Sequence, residues 1–204
     1  MSVQISALVC TRNRSAYLRK AIQSLVHQTL PFEQYEIVVV DNASDDNTPA
    51  VIAEFADVPN LVYIYEPVLG LSRARNAALK HARGEYVAFL DDDAVACSNW
   101  LEKYLEVFAT FKPTPGSVGG KCDPIWEAPQ PDWLGDKMLS SLSVYDWSNE
   151  PIVLNKSQWV AGCNVAYPAR VLREIGGFRE DLGRVGKRLL AGEETYVQIG
   201  RAHV

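Results

Sequence analysis

Short apolar runs separated by polar segments predict the strands of this chain. Most of the runs hold five to eight residues, many of them β-branched, which is typical of strands that are buried on both faces of a parallel sheet. They lie at 3–10, 36–42, 61–65 and 85–90. A longer run at 158–167 predicts a further strand in the second half of the chain.

Between the runs, apolar residues recur at the spacing of an α-helix. Residues 15–28 carry them at positions that form one helical face, namely Leu18, Ala21, Ile22, Leu25 and Val26. Residues that favour helix ends predict the bounds of the other helices. These are a helix opened by Thr48 as N-cap and Pro49, one over 71–82 ended by Gly84, one over 98–108 capped by Ser98, and one over 168–176 opened by Pro168.

Strands that alternate with helices of about ten residues imply right-handed crossovers and a mostly parallel, twisted sheet flanked by helices. We therefore predict an α/β fold. Ligands of such sheets bind beyond the carboxyl ends of the strands, where three polar loops are expected: TRNR at 11–14, DNASDD at 41–46 and DDDA at 91–94. A Pro- and Trp-rich stretch follows residue 112, and we interpret 112–198 as an extension packed on the sheet.

Two of these loops are acidic. Residues 91–93 are three aspartates at the end of the fourth strand, and Asp41, Asp45 and Asp46 follow the second strand. Two unit charges about 4 Å apart repel by roughly 4 kcal/mol at an effective dielectric constant of about 20, so we expect a cation between the loops. Oxygen ligands favour Mg²⁺ or Mn²⁺, which bind protein carboxylates together with substrate phosphates. The alternative is a solvated acidic turn.

Composition and charge exclude several other classes of protein. The 204 residues carry a net charge of −5 without any run of Lys or Arg longer than two, so a nucleic-acid partner is not expected. No signal peptide precedes the first strand, and no apolar run reaches the roughly 20 residues of a membrane span. The four cysteines lie far apart without a CxxC pair, which predicts a reduced, cytoplasmic protein; they are Cys10, Cys97, Cys122 and Cys163.

The end of the chain differs in character from the rest. The segment IGRAHV at 199–204 follows no helix stop signal and resembles the translation of a sequencing-adapter read. We expect Ile199–Val204 to be a non-native tail and the gene fragment to be truncated near Gln198. No role is therefore assigned to His203.

Five segments occur in a characteristic order: TRNR after an apolar strand, VVVDNASDD, GLSRARNAALKHARGEYVAFLDDDA, GCNVAYPARVLREIGGF and GEE. Together they resemble the inverting glycosyltransferases of family two, which have the GT-A fold. The resemblance extends to about residue 198 and implies a single GT-A domain over 1–198. Its nucleotide-binding half would be 1–111, and 112–198 would be an incomplete acceptor-side extension. The implied reaction moves a sugar from a nucleotide-diphosphate donor to an acceptor hydroxyl with inversion, in polysaccharide or glycoconjugate synthesis.

The resemblance assigns residues to the nucleotide. Asp41 matches the aspartate that hydrogen-bonds the base, and Cys10 and Thr11 lie where the end of the first strand contacts the same base. For Cys10 the alternative is simple core packing. Arg75 matches a basic residue near the nucleotide, and its alternative is an ion pair on the helix surface.

The resemblance also assigns the metal ligands and the catalytic base. Asp91 and Asp92 match positions near the ribose and the metal, and Asp93 matches the direct ligand of a Mn²⁺ or Mg²⁺ ion, with Asp91 as a further candidate ligand. Glu193 and Glu194 match the family's acidic pair, whose second member is usually Asp. A carboxylate that accepts the proton of a sugar hydroxyl contributes about 10²- to 10⁴-fold to the rate. We favour Glu194 as this base, with Glu193 as the alternative. In a third interpretation, GEE only begins an exposed helix.

Gly162 and Asn164 match a loop that lines the donor sugar. The expected donor is a UDP-sugar, because UDP is the family's commonest carrier, and the expected acceptor is a saccharide or a lipid-linked acceptor. We expect a cytoplasmic location, at the inner face of the membrane if an attachment segment is encoded beyond the truncation. Two alternatives stay open: an inactive nucleotide-sugar-binding fragment, and a metal-dependent nucleotidyltransferase, which would be expected to have a Gly-rich loop where this chain has TRNR.

Overall fold

The apolar runs assemble into one mixed sheet. The computed structural model describes residues 2–139, 142–144, 146–155, 157–186 and 190–200. Within these residues the strands are β1 (Ile5–Thr11), β2 (Tyr35–Asp41), β3 (Leu61–Tyr65), β4 (Tyr86–Asp91), β5 (Val118–Gly119) and β6 (Asn164–Pro168). Their order is β3-β2-β1-β4-β6-β5, with β1 to β4 parallel and β6 antiparallel to both of its neighbours. The predicted α/β fold with a mostly parallel sheet is confirmed.

The antiparallel edge of the sheet differs from the prediction. The strand predicted over 158–167 begins only at Asn164, because the backbone N–H of Asn164 closes a turn on the carbonyl of Ala161 (3.1 Å). The short strand β5 contains only two residues, too few to produce a hydrophobic pattern, and the sequence did not predict it.

Helices connect and cover the strands. Within the described residues they are α1 (Ser15–Val26), α2 (Thr48–Ala53), α3 (Leu71–His81), α4 (Trp100–Thr110), α5 (Asp136–Leu139), α6 (Ala169–Glu174) and α7 (Glu193–Gly200), with a 3₁₀ turn at Phe32–Gln34. The helices predicted from the sequence are present, with bounds shifted by one to two residues at most ends. Of the predicted non-native tail, residues 201–204 lie outside the described residues.

Two predicted N-caps are wrong by one residue. Asn47 holds the N-cap position of α2, and Thr48 is the first helical residue. The carboxylate of Asp46 accepts hydrogen bonds from the N–H (2.9 Å) and the hydroxyl (2.6 Å) of Thr48. Asn99 rather than Ser98 precedes α4. The sequence therefore located these helix starts but not the groups that satisfy their free N–H donors.

Gly84 does not end α3 as predicted, because the helix ends at His81. A Cβ on Gly84 would lie 2.6 Å from the backbone N of Ser6, so close backbone approach explains the glycine. The Ser6 hydroxyl accepts from the Gly84 N–H (2.9 Å) and donates to the buried Glu36 carboxylate (2.6 Å). The same carboxylate accepts from the backbone N–H (2.6 Å) and Nε (2.7 Å) of Arg83. This network closes the end of the sheet opposite the acidic loops.

Alternate residues of the strands face two hydrophobic clusters, one on each side of the sheet. Helices α1, α2 and α4 cover the side that contains Ile5, Ala7 and Val9. Helices α3, α6 and α7 cover the side that contains Leu8, Val38 and Val40. Because Val197 of α7 is buried in the second cluster, the first turn of α7 is held next to α3.

Candidate active site

The three polar loops lie at one edge of the sheet, as predicted. In the parallel register Thr11 pairs with Asp41, and Cys10 pairs with Asp91. The carboxyl ends of β1, β2 and β4 therefore meet.

Arg14 faces two of the three aspartates at the end of β4. Its Nη1 donates to Oδ1 of Asp92 (3.4 Å) and makes a closer ion pair with Asp93. The hydroxyl of Thr11 donates to the other oxygen of Asp92 (2.7 Å). The sequence did not single out Arg14, although a basic residue directly after the first strand was a usable signal.

Asp46 of the acidic loop after β2 is hydrogen-bonded to its own surroundings. Burial opposes the charge of Asp46, but hydrogen bonds from Thr48 and Ser15 outweigh it and lower the pKa of Asp46 to about 2. Since the bond from Ser15 comes from the first N–H of α1 (3.0 Å), Asp46 satisfies donors at the starts of two helices. Asp46 therefore stays ionised and is held by its own surroundings, and a cation between the two acidic loops stays a prediction.

Asp41 is fully buried at the end of β2. One carboxylate oxygen accepts from the backbone N–H of Ser44 (2.9 Å), and the other accepts from the hydroxyl of Tyr63 (3.1 Å). Partial burial and the charge of Asp41 raise the pKa of Tyr63 to about 12. The Tyr63 hydroxyl is therefore a hydrogen-bond donor to Asp41 at neutral pH.

Burial controls the titration of the residues at the ends of β1 and β4. It raises the pKa of Asp92 to about 6, with Thr11 and Arg14 opposing the shift. It also raises the pKa of Asp91, although solvent reaches about half of that side chain. Burial raises the pKa of Cys10 to about 12, so this thiol is neutral and packs against the core cluster beside α3.

Arg75 is buried between the end of β4 and the start of α7. Its Nη1 lies 2.8 Å from Oε1 of Glu193 and 2.7 Å from Oε1 of Glu194, and its Nη2 lies 3.8 Å from Oδ1 of Asp91. The guanidinium also lies 5.4 Å from the ring centre of Phe178, within the range of cation–π attraction. The alternative of a surface ion pair is wrong, because only 4% of the Arg75 side chain is exposed.

The two glutamates occupy different environments. The Glu193 side chain is 3% exposed, and within the described part of the chain its Oε2 has no hydrogen-bond partner. Burial and the neighbouring charge raise the pKa of Glu193. The Glu194 side chain is 24% exposed, and although burial opposes its charge, Arg75 outweighs this and lowers its pKa. The interpretation of GEE as the start of an exposed helix is wrong for Glu193.

Glu194 lines an open cleft of about 510 Å³ together with Trp159, Gly162 and Gln198. A Cβ on Gly162 would lie 2.2 Å from Oε1 of Glu194. The backbone at Gly162 thus approaches Glu194 closely, and a larger residue would displace that carboxylate; a contact of Gly162 with a donor sugar stays a prediction.

The side chain of Asn164 connects several elements next to this cleft by hydrogen bonds. Its Oδ1 accepts from the indole of Trp100 (2.8 Å) and the hydroxyl of Tyr104 (2.6 Å), and its Nδ2 donates to the carbonyl of Lys121 (2.8 Å). These bonds tie α4 and the segment after β5 to the start of β6. A contact of Asn164 with a donor sugar stays a prediction.

Residues 6–174 match the family model described as glycosyl transferase family 2. The chain belongs to glycosyl transferase family 2. The resemblance deduced from the five sequence segments is confirmed, and the nucleotidyltransferase alternative is not supported. Within the described residues of this family 2 chain, no helix combines the length and apolarity needed to cross a bilayer.

A glucosyl-dolichyl phosphate glucuronosyltransferase of Haloferax volcanii is 25% identical to this family 2 chain over 97% of the chain and 63% of its own length. Two solved structures share the fold. The mannosyltransferase PcManGT of Pyrobaculum calidifontis, in complex with GDP-Man and Mn²⁺, has a TM-score of 0.69 and 24% identity over 89% of this chain and 49% of its own. TarS 1-349 of S. aureus, in complex with UDP, has a TM-score of 0.70 and 23% identity, and the match covers 89% of this chain and 52% of the TarS chain. The fold is GT-A, and the chain spans about half to two thirds of the length of these proteins.

The carboxylate oxygens at the acidic loop are suited to bind a divalent cation. The side chains of Asp91 and Asp93 are 47% and 46% exposed, so both present oxygen atoms to the open edge of the sheet. Within the described residues no cluster of three or more His, Cys, Asp or Glu side chains is suited to a metal. Mg²⁺ and Mn²⁺ are often held by only one or two carboxylates when substrate phosphates supply further ligands. Asp91 and Asp93 match a site of this kind, in which substrate phosphates complete the coordination.

Proposed function

We propose that this chain is the donor-binding and base-carrying part of a metal-dependent, inverting glycosyltransferase, which transfers a sugar from a nucleotide-diphosphate donor to an acceptor hydroxyl. The observation that carries the proposal is the position of Arg75. It binds Glu194 at the edge of the cleft and lies 3.8 Å from Asp91 at the end of β4. A leaving group at the aspartates and a proton acceptor at Glu194 would therefore be adjacent.

The nucleotide would bind at the carboxyl ends of β1 and β2. Within the described residues, Ser44 and Tyr63 use two of the about four hydrogen bonds that the Asp41 carboxylate can accept. Asp41 is fully buried, so its remaining lone pairs would accept from the N–H groups of a nucleobase once the side chains that cover it move aside. Thr11 and Cys10 lie one strand away in the same register, which supports their predicted contact with the base.

The diphosphate would lie over the acidic loop after β4. Asp93 and Asp91 would hold a Mn²⁺ or Mg²⁺ ion, which neutralises the negative charge that develops on the departing diphosphate. Arg14 adds a second positive charge at the same place, since its guanidinium pairs with Asp92 and Asp93. Asp92 would then orient Arg14 and Thr11 next to the ribose and the phosphates.

Glu194 rather than Glu193 would act as the base. Its carboxylate faces the cleft that contains Gly162, whereas Glu193 is buried behind it. Arg75 keeps Glu194 ionised, so its carboxylate could accept the proton of the acceptor hydroxyl. Attack on the face opposite the leaving group would give inversion without a covalent intermediate.

Substrate classes are proposed from the relatives. The neighbours contain GDP-Man or UDP, which supports a nucleotide-diphosphate carrier, and we propose a UDP-sugar as the donor. The name of the Haloferax relative includes a dolichyl-phosphate-linked glucose, which supports a saccharide or lipid-linked acceptor and a role in glycoconjugate or polysaccharide synthesis. A cytoplasmic location, at the inner face of the membrane in a longer protein, stays a prediction.

A second candidate is a nucleotide-sugar-binding fragment without transfer activity. The observation that favours it is length, because the chain covers 63% of the Haloferax relative and about half of the two solved neighbours. Residues that those proteins place in the remaining part could bind the acceptor.

Two measurements test the proposal. Calorimetry with UDP and GDP, with and without Mn²⁺, should show nucleotide binding that requires the metal, and binding equal in both conditions would contradict the metal site. Transfer from UDP-sugars should then be followed by NMR of the anomeric proton. Glu194→Gln should leave donor binding intact and reduce transfer by about 10²- to 10⁴-fold, while Glu193→Gln serves as the matched variant. A larger loss in Glu193→Gln would reassign the base, and donor binding without any transfer would favour the fragment.

A further inference from the structure

Two cysteines that are widely separated in sequence meet beside the candidate active site. The Sγ atoms of Cys122 and Cys163 lie 3.7 Å apart, and both residues are free thiols. The spacing of the cysteines along the chain gave no indication of this contact. The short pairing of β5 with β6, Gly119 opposite Val165, brings them together.

The backbone around both thiols is held in place. Cys163 directly precedes Asn164, whose side chain is bonded to α4 and to the carbonyl of Lys121, the residue before Cys122. The N–H of Gly120 also donates to the carbonyl of Asn164 (3.4 Å). The scaffold therefore keeps the two sulfur atoms in contact, and neither thiol depends on a chance encounter between mobile loops.

Two chemical uses of such a pair can be compared. A zinc site requires four ligands in most structural cases, but no cluster of three or more suitable side chains occurs within the described residues. A disulfide requires only the two sulfur atoms, which must approach to about 2.05 Å. The two sulfur atoms are already 3.7 Å apart, so the geometry favours a disulfide over a zinc site.

We propose that Cys122 and Cys163 form a thiol-pair modification site that small disulfides of the glutathione class oxidise to an intramolecular disulfide. The thiolate of Cys122 attacks one sulfur of the small disulfide, the S–S bond breaks, and one small thiol leaves. The thiolate of Cys163 then attacks the Cys122 sulfur of the mixed disulfide and releases the second small thiol. Two electrons and two protons pass from the protein to the reagent.

The order of attack follows from the contact between the thiols. Either thiol can donate in this contact; with Cys163 as donor, the hydrogen bond lowers the pKa of Cys122 and raises the pKa of Cys163. Cys122 is therefore the better first nucleophile. Its attack on the reagent removes the neighbouring thiolate and makes Cys163 easier to ionise for the second step.

The disulfide would tie the segment after β5 to the turn before β6. That turn includes Gly162, which packs against Glu194, so the modification would fix the wall of the candidate cleft. An effect on transfer rests on the proposed function, whereas the thiol chemistry does not.

Peptide mapping tests the site directly. The reduced 204-residue protein is incubated with oxidised glutathione, quenched with iodoacetamide, digested and analysed by tandem mass spectrometry. We expect a linked Cys122–Cys163 peptide and no link to Cys97, the exposed cysteine. The link should form at least about tenfold faster in the folded protein than in concentrated urea, because the fold raises the effective concentration of one thiol near the other.

Single variants separate the two steps. Cys163→Ser should stop at a mixed disulfide between Cys122 and glutathione, and Cys97→Ser should still form the internal link at the wild-type rate. The proposal is overturned if Cys122 and Cys163 both stay open to alkylation, or if the link forms equally fast in urea. A mixed disulfide that persists on Cys122 in the wild-type protein would also overturn it. None of these readouts uses transfer activity, so the result does not depend on the proposed function.

Discussion

Substitution of Arg75 by methionine removes the charge that joins the two glutamates to the end of β4. Arg75 lies 2.8 Å from Glu193 and 2.7 Å from Glu194, and it is almost completely buried. Loss of one partner from a buried ion pair costs about 3–5 kcal/mol, because the other charge stays buried without compensation. We expect Arg75→Met to lower the free energy of unfolding by about 4 kcal/mol at neutral pH, a large share of the about 5–15 kcal/mol of a typical domain.

The free energy of unfolding lost in Arg75→Met should depend on pH. In the wild type, Arg75 lowers the pKa of Glu194, so Glu194 stabilises the fold above its unfolded pKa and loses that effect as the pH falls through its folded pKa. Burial raises the pKa of Glu193, so its charge destabilises the fold as the pH rises through its folded pKa. Without Arg75 both pKa values should rise. The difference between variant and wild type should therefore be largest at neutral pH and shrink below about pH 5.

Urea unfolding followed by tryptophan fluorescence, near neutral pH and in mild acid, measures this effect. The matched control is Arg73→Met on the same helix, because the Arg73–Glu180 pair (2.8 Å) is exposed and should contribute less than about 1 kcal/mol. The double variant Arg75→Met/Glu193→Gln should regain about 2 kcal/mol, because it removes one uncompensated charge. A loss that is independent of pH, with no recovery in the double variant, would refute the electrostatic account and indicate lost packing around Phe178.

Three further predictions concern other parts of the structure. Asp93→Asn should abolish Mn²⁺-dependent binding of nucleotide diphosphates in calorimetry, and unchanged binding would place the metal elsewhere. Gly162→Ala should reduce transfer by about 10²-fold through displacement of Glu194 while donor binding is retained; full activity in a transfer assay would contradict this. Glu36→Ala should cost about 3 kcal/mol in urea unfolding because it breaks a buried network, whereas Glu54→Ala, which removes the exposed Arg19–Glu54 pair (2.6 Å), should cost much less; equal losses would refute the difference in burial.

Several parts of the site could be predicted from the sequence because they follow from strand order. A parallel sheet places every strand–helix loop at the same edge, so the meeting of Thr11, Asp41 and Asp91 needed only the alternation of strands and helices. A glycine at position 162 allows another group to approach the backbone closely. What it approaches, Glu194, was not predicted, because the two residues lie on different elements.

Other features depend on side chains that meet across the fold. Arg75 has the sequence context of a helix-surface residue, yet it is buried under α7. Arg14 faces Asp92 and Asp93, a contact that the sequence did not predict. Asp46 of the other acidic loop satisfies donors at two helix N-termini. Each of these outcomes is set by which hydrogen-bond donors lie nearby in three dimensions.

The sequence by itself determined the order of strands and helices, the family, and the edge of the sheet at which the polar loops gather. The elements follow from hydrophobic periodicity, and the family follows from short sequence segments that can be recognised without the fold. Only the tertiary structure decided that Glu193 is buried while Glu194 faces the cleft, and that Cys122 meets Cys163. The physical reason is that burial, pKa and thiol contact depend on neighbours brought together by packing across the sheet, and no local pattern in the chain encodes which neighbours those will be.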